Sequence, residues 1–318
     1  MSDTPLEIVI IDRDAAHYCA QITAACPGVV VHAGEATADV LPHCGAARAL
    51  VGLAQAITPA LVAATPHLAW VQALTTGIDP LLTLGLSRAV TVTSARGIHG
   101  PQMAEIAFLQ MLALARDFPR MLANQHAAIW ERWPQPLLLD KTVVLVGVGA
   151  ISEDLAMRCK AFGMRVVGVS STRTQAPGFD RIRPRTQLIE AAGEADFLIA
   201  LVPYAPDTHH MIDGAVLDAL QRHAIFLNIA RGPVVDEAAL IERLARRAFA
   251  GAGLDVFEIE PLPADNPLWR MDNVIVTPHI GGMSDIYATQ VLPLVLHNIE
   301  AFRAGRITDM RNIVHLPA

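Results

Sequence analysis

The sequence has few cysteines, little positive charge and no apolar run long enough to cross a bilayer, and each shortage narrows the field. Its four cysteines, Cys19, Cys26, Cys44 and Cys159, stand without CxxC spacing in 318 residues, which predicts free thiols rather than a disulfide framework or a zinc site. Lys and Arg number 24 against 31 Asp and Glu, for a formal net charge of -7, so no global basic field draws in nucleic acid or an anionic membrane. Any anionic ligand must then be met by local cations. The stretch 104–115 is interrupted by Glu105 and Gln110 and stopped at Arg116, well short of the ~20 residues a membrane span needs. The chain opens with Asp3 and passes into a strand-like run, without the basic and apolar regions of a secretory leader, so a cytoplasmic location is expected.

What the sequence does have is apolar bulk. Hydrophobic residues make up 53% and charged residues only 17%, so the whole chain is expected to fold, and its length predicts two domains with a cleft between them. Short apolar runs at 6–11, 49–53, 69–74 and 90–93 alternate with helix-like segments, an α/β rhythm. One long helix is expected over 99–122, begun by Pro101 and striped by Met103, Ile106, Ala107, Gln110, Met111 and Leu114. Beyond a loop with Trp130, Trp133, Pro134 and Pro136, strand-like runs recur at 142–146, 165–169, 196–201, 224–228, 251–254 and 274–276. Strands spaced by helical stretches require crossovers, hence a mostly parallel, doubly wound sheet. A last helix is expected from an N-cap at Ser284 to about Arg303, returning the chain to the first lobe.

The segment 142–152, TVVLVGVGAIS, joins a β-branched strand to Gly147, Gly149 and an expected helix over 153–162. Gly147 permits a tight turn, Gly149 lets backbone approach a pyrophosphate, and the helix N-terminus supplies N–H groups and positive dipole. Ser152 replaces the third glycine of the usual pattern; it is small enough for close packing and able to donate to a phosphate. The next strand ends in Ser170, Ser171, Thr172 and Arg173 with no carboxylate, where an NAD-binding loop usually puts an acid on the ribose. Hydroxyls and a guanidinium suit a 2′-phosphate, which favours NADP over NAD. Arg173 also reads as a solvated loop residue.

Three polar residues follow successive strand ends of the second half: Arg231 in ARG, Glu260 in EIEPLP and His279 in PHIGG. With the loop GVGAIS, these segments arrive in an order that resembles the D-isomer-specific 2-hydroxyacid dehydrogenase family almost end to end. TSARGIHGPQMAE is similar to the glyoxylate and hydroxypyruvate reductase branch. The resemblance implies an α/β fold of two Rossmann-like doubly wound parallel-sheet domains: a substrate domain of 1–99 plus 287–318 and a dinucleotide-binding domain of 100–286. It implies hydride transfer between NAD(P)H and a small 2-oxo or 2-hydroxy acid, and a homodimer formed through the cofactor domain.

Such a reduction needs a hydride at the carbonyl carbon and a proton at its oxygen. His279 is the expected acid and base, Glu260 the carboxylate that favours its imidazolium, and Arg231 the planar fork for the substrate carboxylate. Glu258 is expected to be the solvated neighbour. By resemblance, Thr76, Gly77 and Ile78 hold the substrate carboxylate. Ala150, Ile151, Val202, Pro203, Thr208, Ala230, Asp255 and Gly281 likewise contact the cofactor. His209 and His210 form a polar pair without a further ligand at metal-site spacing, so no metal is expected. An NAD(P)-sensing binding protein on the same fold, akin to a co-repressor, is the alternative reading; a formate-type dehydrogenase fits less well because of the acid at Glu260.

Overall fold

A computed structural model describes residues 5–315; Asp3 and the rest of residues 1–4 and 316–318, which fall in the expected substrate domain, lie outside them. The chain divides into two compact units, one built from the residues up to Ile98 and from Ser284 onward, the other from His99–Met283.

In the first unit, β1 (Leu6–Ile11), β2 (Val29–Gly34), β3 (Ala49–Gly52), β4 (Trp70–Ala73) and β5 (Thr91–Thr93) form a parallel sheet in the order 2-1-3-4-5 reversed. In the second, β6 (Thr142–Val146), β7 (Arg165–Ser170), β8 (Arg181–Pro184), β9 (Phe197–Ala200), β10 (Ile225–Asn228), β11 (Gly251–Leu254) and β12 (Val274–Val276) run parallel in the order β12-β11-β10-β9-β6-β7-β8. A short β13 (Ile313–Val314) closes the first sheet antiparallel to β5.

The period-2 alternation of strand side chains explains the layering. Val143 and Leu145 face one way, onto Met103, Met111 and Leu155; Val144 and Val146 face the other, onto Leu217 and Leu240. In β1, Ile8 and Ile10 join Val295 and Ile299, while Val9 and Ile11 join Val40 and Leu61. Both sheet faces are therefore covered, as near-continuous apolar strands require.

Three helix expectations are corrected. The single helix over 99–122 is two, Gly100–Ala115 and Phe118–His126, with Asp117 between them at φ 55°. Pro119 explains the break, since it has no N–H to give to Ala115 and its ring would strike that carbonyl. The final helix is Tyr287–Arg303 rather than starting at Ser284, whose hydroxyl donates to Gln290 Oε1 at 2.8 Å instead of capping. The helix after the glycines is Ala150–Ala161, three residues earlier at its start than expected, which brings its N-terminus directly against the loop.

Candidate active site

The residues expected around the dinucleotide, with Arg231, Glu260 and His279, belong to the second unit, at or beyond the C-terminal ends of its strands. The order reverses between β6 and β9, the switch point at which open α/β sheets bind ligands. Gly147 has φ 105°, and a Cβ there would lie 3.0 Å from the Leu201 carbonyl carbon and the Val202 nitrogen. Only glycine allows this turn to press against the loop after β9. Gly149 is extended, and a Cβ on it would meet nothing within 4 Å. Open space therefore lies above it, and no side chain caps the helix that starts at Ala150.

Two residues expected at the cofactor have hydroxyls bonded to nearby backbone. Ser152 is 2% exposed, and its hydroxyl donates to Gly147 O at 2.6 Å, which braces the turn. Thr208 Oγ1 accepts from Ala205 N at 2.7 Å and donates to Pro203 O at 2.8 Å, so it shapes the loop of Val202 and Pro203. At the end of β7, Ser170 Oγ accepts the N–H groups of Thr172 and Arg173 at 3.2 and 3.0 Å. The strand end has no acid of its own, but Glu153, in the first turn of the helix, forms an ion pair with Arg173. In the sequence this carboxylate is indistinguishable from an ordinary first-turn helix acid.

The loops after β10, β11 and β12 are tied together. Asn228 accepts Ala230 N at 3.1 Å and donates to Arg231 O at 3.1 Å, fixing the turn before Arg231. Arg231 Nη1 donates to Ala230 O at 2.7 Å. Gly232 sits so close to the next loop that a Cβ would fall 1.9 Å from Phe257 C and O. Glu260 precedes Pro261 through a cis peptide bond; its Oε1 accepts Phe257 N at 3.0 Å and its Oε2 lies 2.7 Å from His279 Nδ1. Burial works to raise the Glu260 pKa, but the His279 and Phe257 hydrogen bonds and the charges of His279 and Arg231 outweigh it and hold the carboxyl below 4.5. An ionised carboxylate only accepts, so Nδ1 carries the hydrogen. The two side chains are 47% and 34% exposed, leaving the pair open to a ligand.

His279 has φ 53°, a left-handed conformation unusual for a residue with a Cβ and kept only where its surroundings over-determine it. Asp255 supplies that constraint. It is 2% exposed, and its backbone carbonyl accepts His279 N at 2.8 Å. Its Oδ1 accepts from the Thr277 hydroxyl at 2.6 Å and Ile280 N at 3.1 Å; its Oδ2 accepts Gly281 N at 2.9 Å. Both oxygens thus brace the His279 loop. Gln110, from the helix Gly100–Ala115, donates to Thr277 Oγ1 at 3.2 Å and extends this support into the core.

Glu258 pairs with His210 at 2.8 Å, and its N–H donates to Glu237 Oε2 at 3.1 Å. The His209 ring stacks on His210 with centroids 3.9 Å apart.

Over residues 108–281 the chain matches the model of the D-isomer specific 2-hydroxyacid dehydrogenase NAD-binding domain. The chain belongs to the D-isomer specific 2-hydroxyacid dehydrogenase family. It is 33% identical over 255 residues to a glyoxylate reductase of Korarchaeum cryptofilum, covering 77% of this chain and 76% of the relative. A solved family member from Aeromonas salmonicida superposes with a TM-score of 0.91 at 30% identity, covering 98% of this chain and 99% of that one. An NADPH-dependent glyoxylate/hydroxypyruvate reductase from Sinorhizobium meliloti, solved with NADP and sulfate, gives a TM-score of 0.83 at 28% identity over 97% and 98% of the two chains.

As an NAD(P)-dependent D-2-hydroxyacid dehydrogenase, the chain must hold a dinucleotide, and the open space above Gly149 beside an uncapped helix N-terminus fits its pyrophosphate. The remaining expected contacts of this dehydrogenase, Thr76, Gly77 and Ile78, lie in the first unit. There Thr75 Oγ1 donates to Gly77 O at 2.6 Å, Ala95 N donates to Thr75 O at 2.9 Å, and the Tyr287 hydroxyl donates to Leu74 O at the base of the loop.

Proposed function

We propose that this dehydrogenase reduces glyoxylate, hydroxypyruvate or another short 2-oxo acid and prefers NADPH to NADH. The observation that carries the reading is the 2.7 Å contact between His279 Nδ1 and an ionised Glu260. A histidine whose Nδ1–H is fixed on a carboxylate is held in one tautomer and orientation, so its proton transfer is made through Nε2. The reduced nicotinamide supplies the hydride to the carbonyl carbon. His279 Nε2 gives the carbonyl oxygen its proton, and neutral His279 takes it back in the oxidative direction. Glu260 orients the ring. Arg231 pairs through its planar fork with the substrate carboxylate and polarises the carbonyl.

The N–H groups of Ala150, Ile151 and Ser152 hold the pyrophosphate, Ser170 to Arg173 receive the 2′-phosphate, and Val202, Pro203 and Ala230 line the rest of the dinucleotide's course. Backbone N–H groups of Thr76, Gly77 and Ile78 are the further candidates for the substrate carboxylate. The S. meliloti relative solved with NADP supports the cofactor preference.

The proposal includes a homodimer through the second unit, supported by the exposed apolar side chains Phe118, Ile129, Leu137, Leu139 and the 93% exposed Trp130 in one segment of that unit. It also includes a cytoplasmic location, in keeping with four free thiols. Among the described residues no helix is long and apolar enough to cross a membrane.

The test is a matrix of glyoxylate, hydroxypyruvate, pyruvate and longer 2-oxo acids against NADPH and NADH. Turnover is expected with the short acids and NADPH; no turnover across the matrix would overturn the reading.

A further inference from the structure

We propose that Glu153 sets how strongly this site prefers a 2′-phosphorylated dinucleotide, by competing with the phosphate for Arg173. The inference rests on the reading of Ser170 to Arg173 as the ribose-phosphate turn. Ser170 accepts two backbone N–H groups there, which fixes the turn that carries Arg173. The guanidinium is then held by Glu153, one turn beyond the glycines.

A 2′-phosphate brings charge and acceptor oxygens for which a guanidinium fork is well suited. To use Arg173 it must displace Glu153 or share the cation with it at a like-charge cost. The unphosphorylated ribose meets no such contest. Its 2′-hydroxyl finds, in the Glu153 carboxylate, the acceptor that the end of β7 does not supply. One ion pair thus works against NADPH and in favour of NADH.

The competition is moderate because the pair is partly exposed, at 39% for the Arg173 side chain and 29% for Glu153. A partly solvated ion pair has a modest net worth, so removing the competitor is expected to tighten NADPH by about two- to fivefold. A general gain of positive potential would instead tighten both cofactors alike, because both carry the pyrophosphate. The discriminating quantity is therefore the ratio of the two dissociation constants.

Dissociation constants for NADPH and NADH are measured by titration calorimetry on the full chain, with unfolding curves confirming that each variant is folded. Glu153→Gln and Glu153→Ala are each expected to tighten NADPH and leave NADH unchanged or weaker. Arg173→Ala is expected to weaken NADPH by roughly tenfold or more. In the Arg173→Ala background, Glu153→Gln is expected to bring no gain. Asp207→Asn, which removes a carboxylate from Arg185 rather than Arg173, is expected to leave the ratio unchanged. Equal tightening of both cofactors, or a gain that persists without Arg173, overturns the competition while leaving the phosphate turn standing. Unchanged NADPH binding in Arg173→Ala overturns the turn itself and the competition with it.

Discussion

Gly232→Ala is the substitution whose effect the geometry defines most sharply. The added Cβ would lie 1.9 Å from Phe257 C and O and 2.4 Å from Glu258 N. These are backbone atoms, so no side chain can swing aside. Restoring ordinary contact requires the two loops to part by about 1.5 Å. One loop carries Arg231 and the other Glu260, so the strain falls on the spacing of the guanidinium and the carboxylate. Overpacking of this kind costs about 1–3 kcal/mol, and for a unit of this size that lowers Tm by roughly 2–12 °C. A displacement near 1 Å among reacting groups costs on the order of 100-fold in turnover. The assay pairs thermal unfolding with steady-state reduction of the best 2-oxo acid and with NADPH binding. The expected result is a lower Tm, a strongly reduced kcat and near-normal NADPH affinity. Gly149→Ala should behave the opposite way, folding normally while losing cofactor, because its Cβ meets only open space. A Gly232→Ala protein with the parent's Tm and kcat would refute the reasoning.

Other substitutions separate chemistry from support. The Glu260 carboxyl is held below 4.5, so its stabilising effect is fully present above that pH and lost as pH falls through the native value. Glu260→Gln should therefore be less stable than the parent by ~1 kcal/mol at about pH 7, with the gap closing under acid, when urea unfolding is compared across pH. Asp255→Asn replaces one acceptor of the His279 loop with a donor facing backbone N–H groups; urea unfolding should show a loss of about 1–3 kcal/mol, and kcat should fall more than NADPH affinity. Ser152→Ala removes the bond to Gly147 O and should cost about 1 kcal/mol in unfolding experiments. NADPH affinity loss exceeding that stability loss would instead mean that the hydroxyl holds phosphate.

The buried strands were legible because their environment is uniform. TVVLV at Thr142–Val146 is apolar on both faces, and a chain buried on both sides has few other ways to read. β8, Arg181–Pro184, escaped because an edge strand needs no apolar run; Arg181 and Arg183 meet Glu194 instead. The break at Asp117 was available in Pro119, whose effect on Ala115 outweighs the apolar stripe on either side. Arg231, Glu260 and His279 were readable as polar residues after strand ends. Their spacing was not, because the contacts arise where separate loops meet. Asp255 shows the same limit: its acid was visible in GLDV, but the partners it holds, Thr277, Ile280 and Gly281, arrive from another strand end.

The most direct test of the account is His279→Ala, assayed for NADPH-dependent reduction of glyoxylate and hydroxypyruvate alongside its NADPH dissociation constant. Cofactor binding close to the parent's and loss of measurable turnover are expected, because the proton donor fixed by Glu260 is gone. A His279→Ala protein that binds NADPH and turns over these acids at the parent's rate would contradict it.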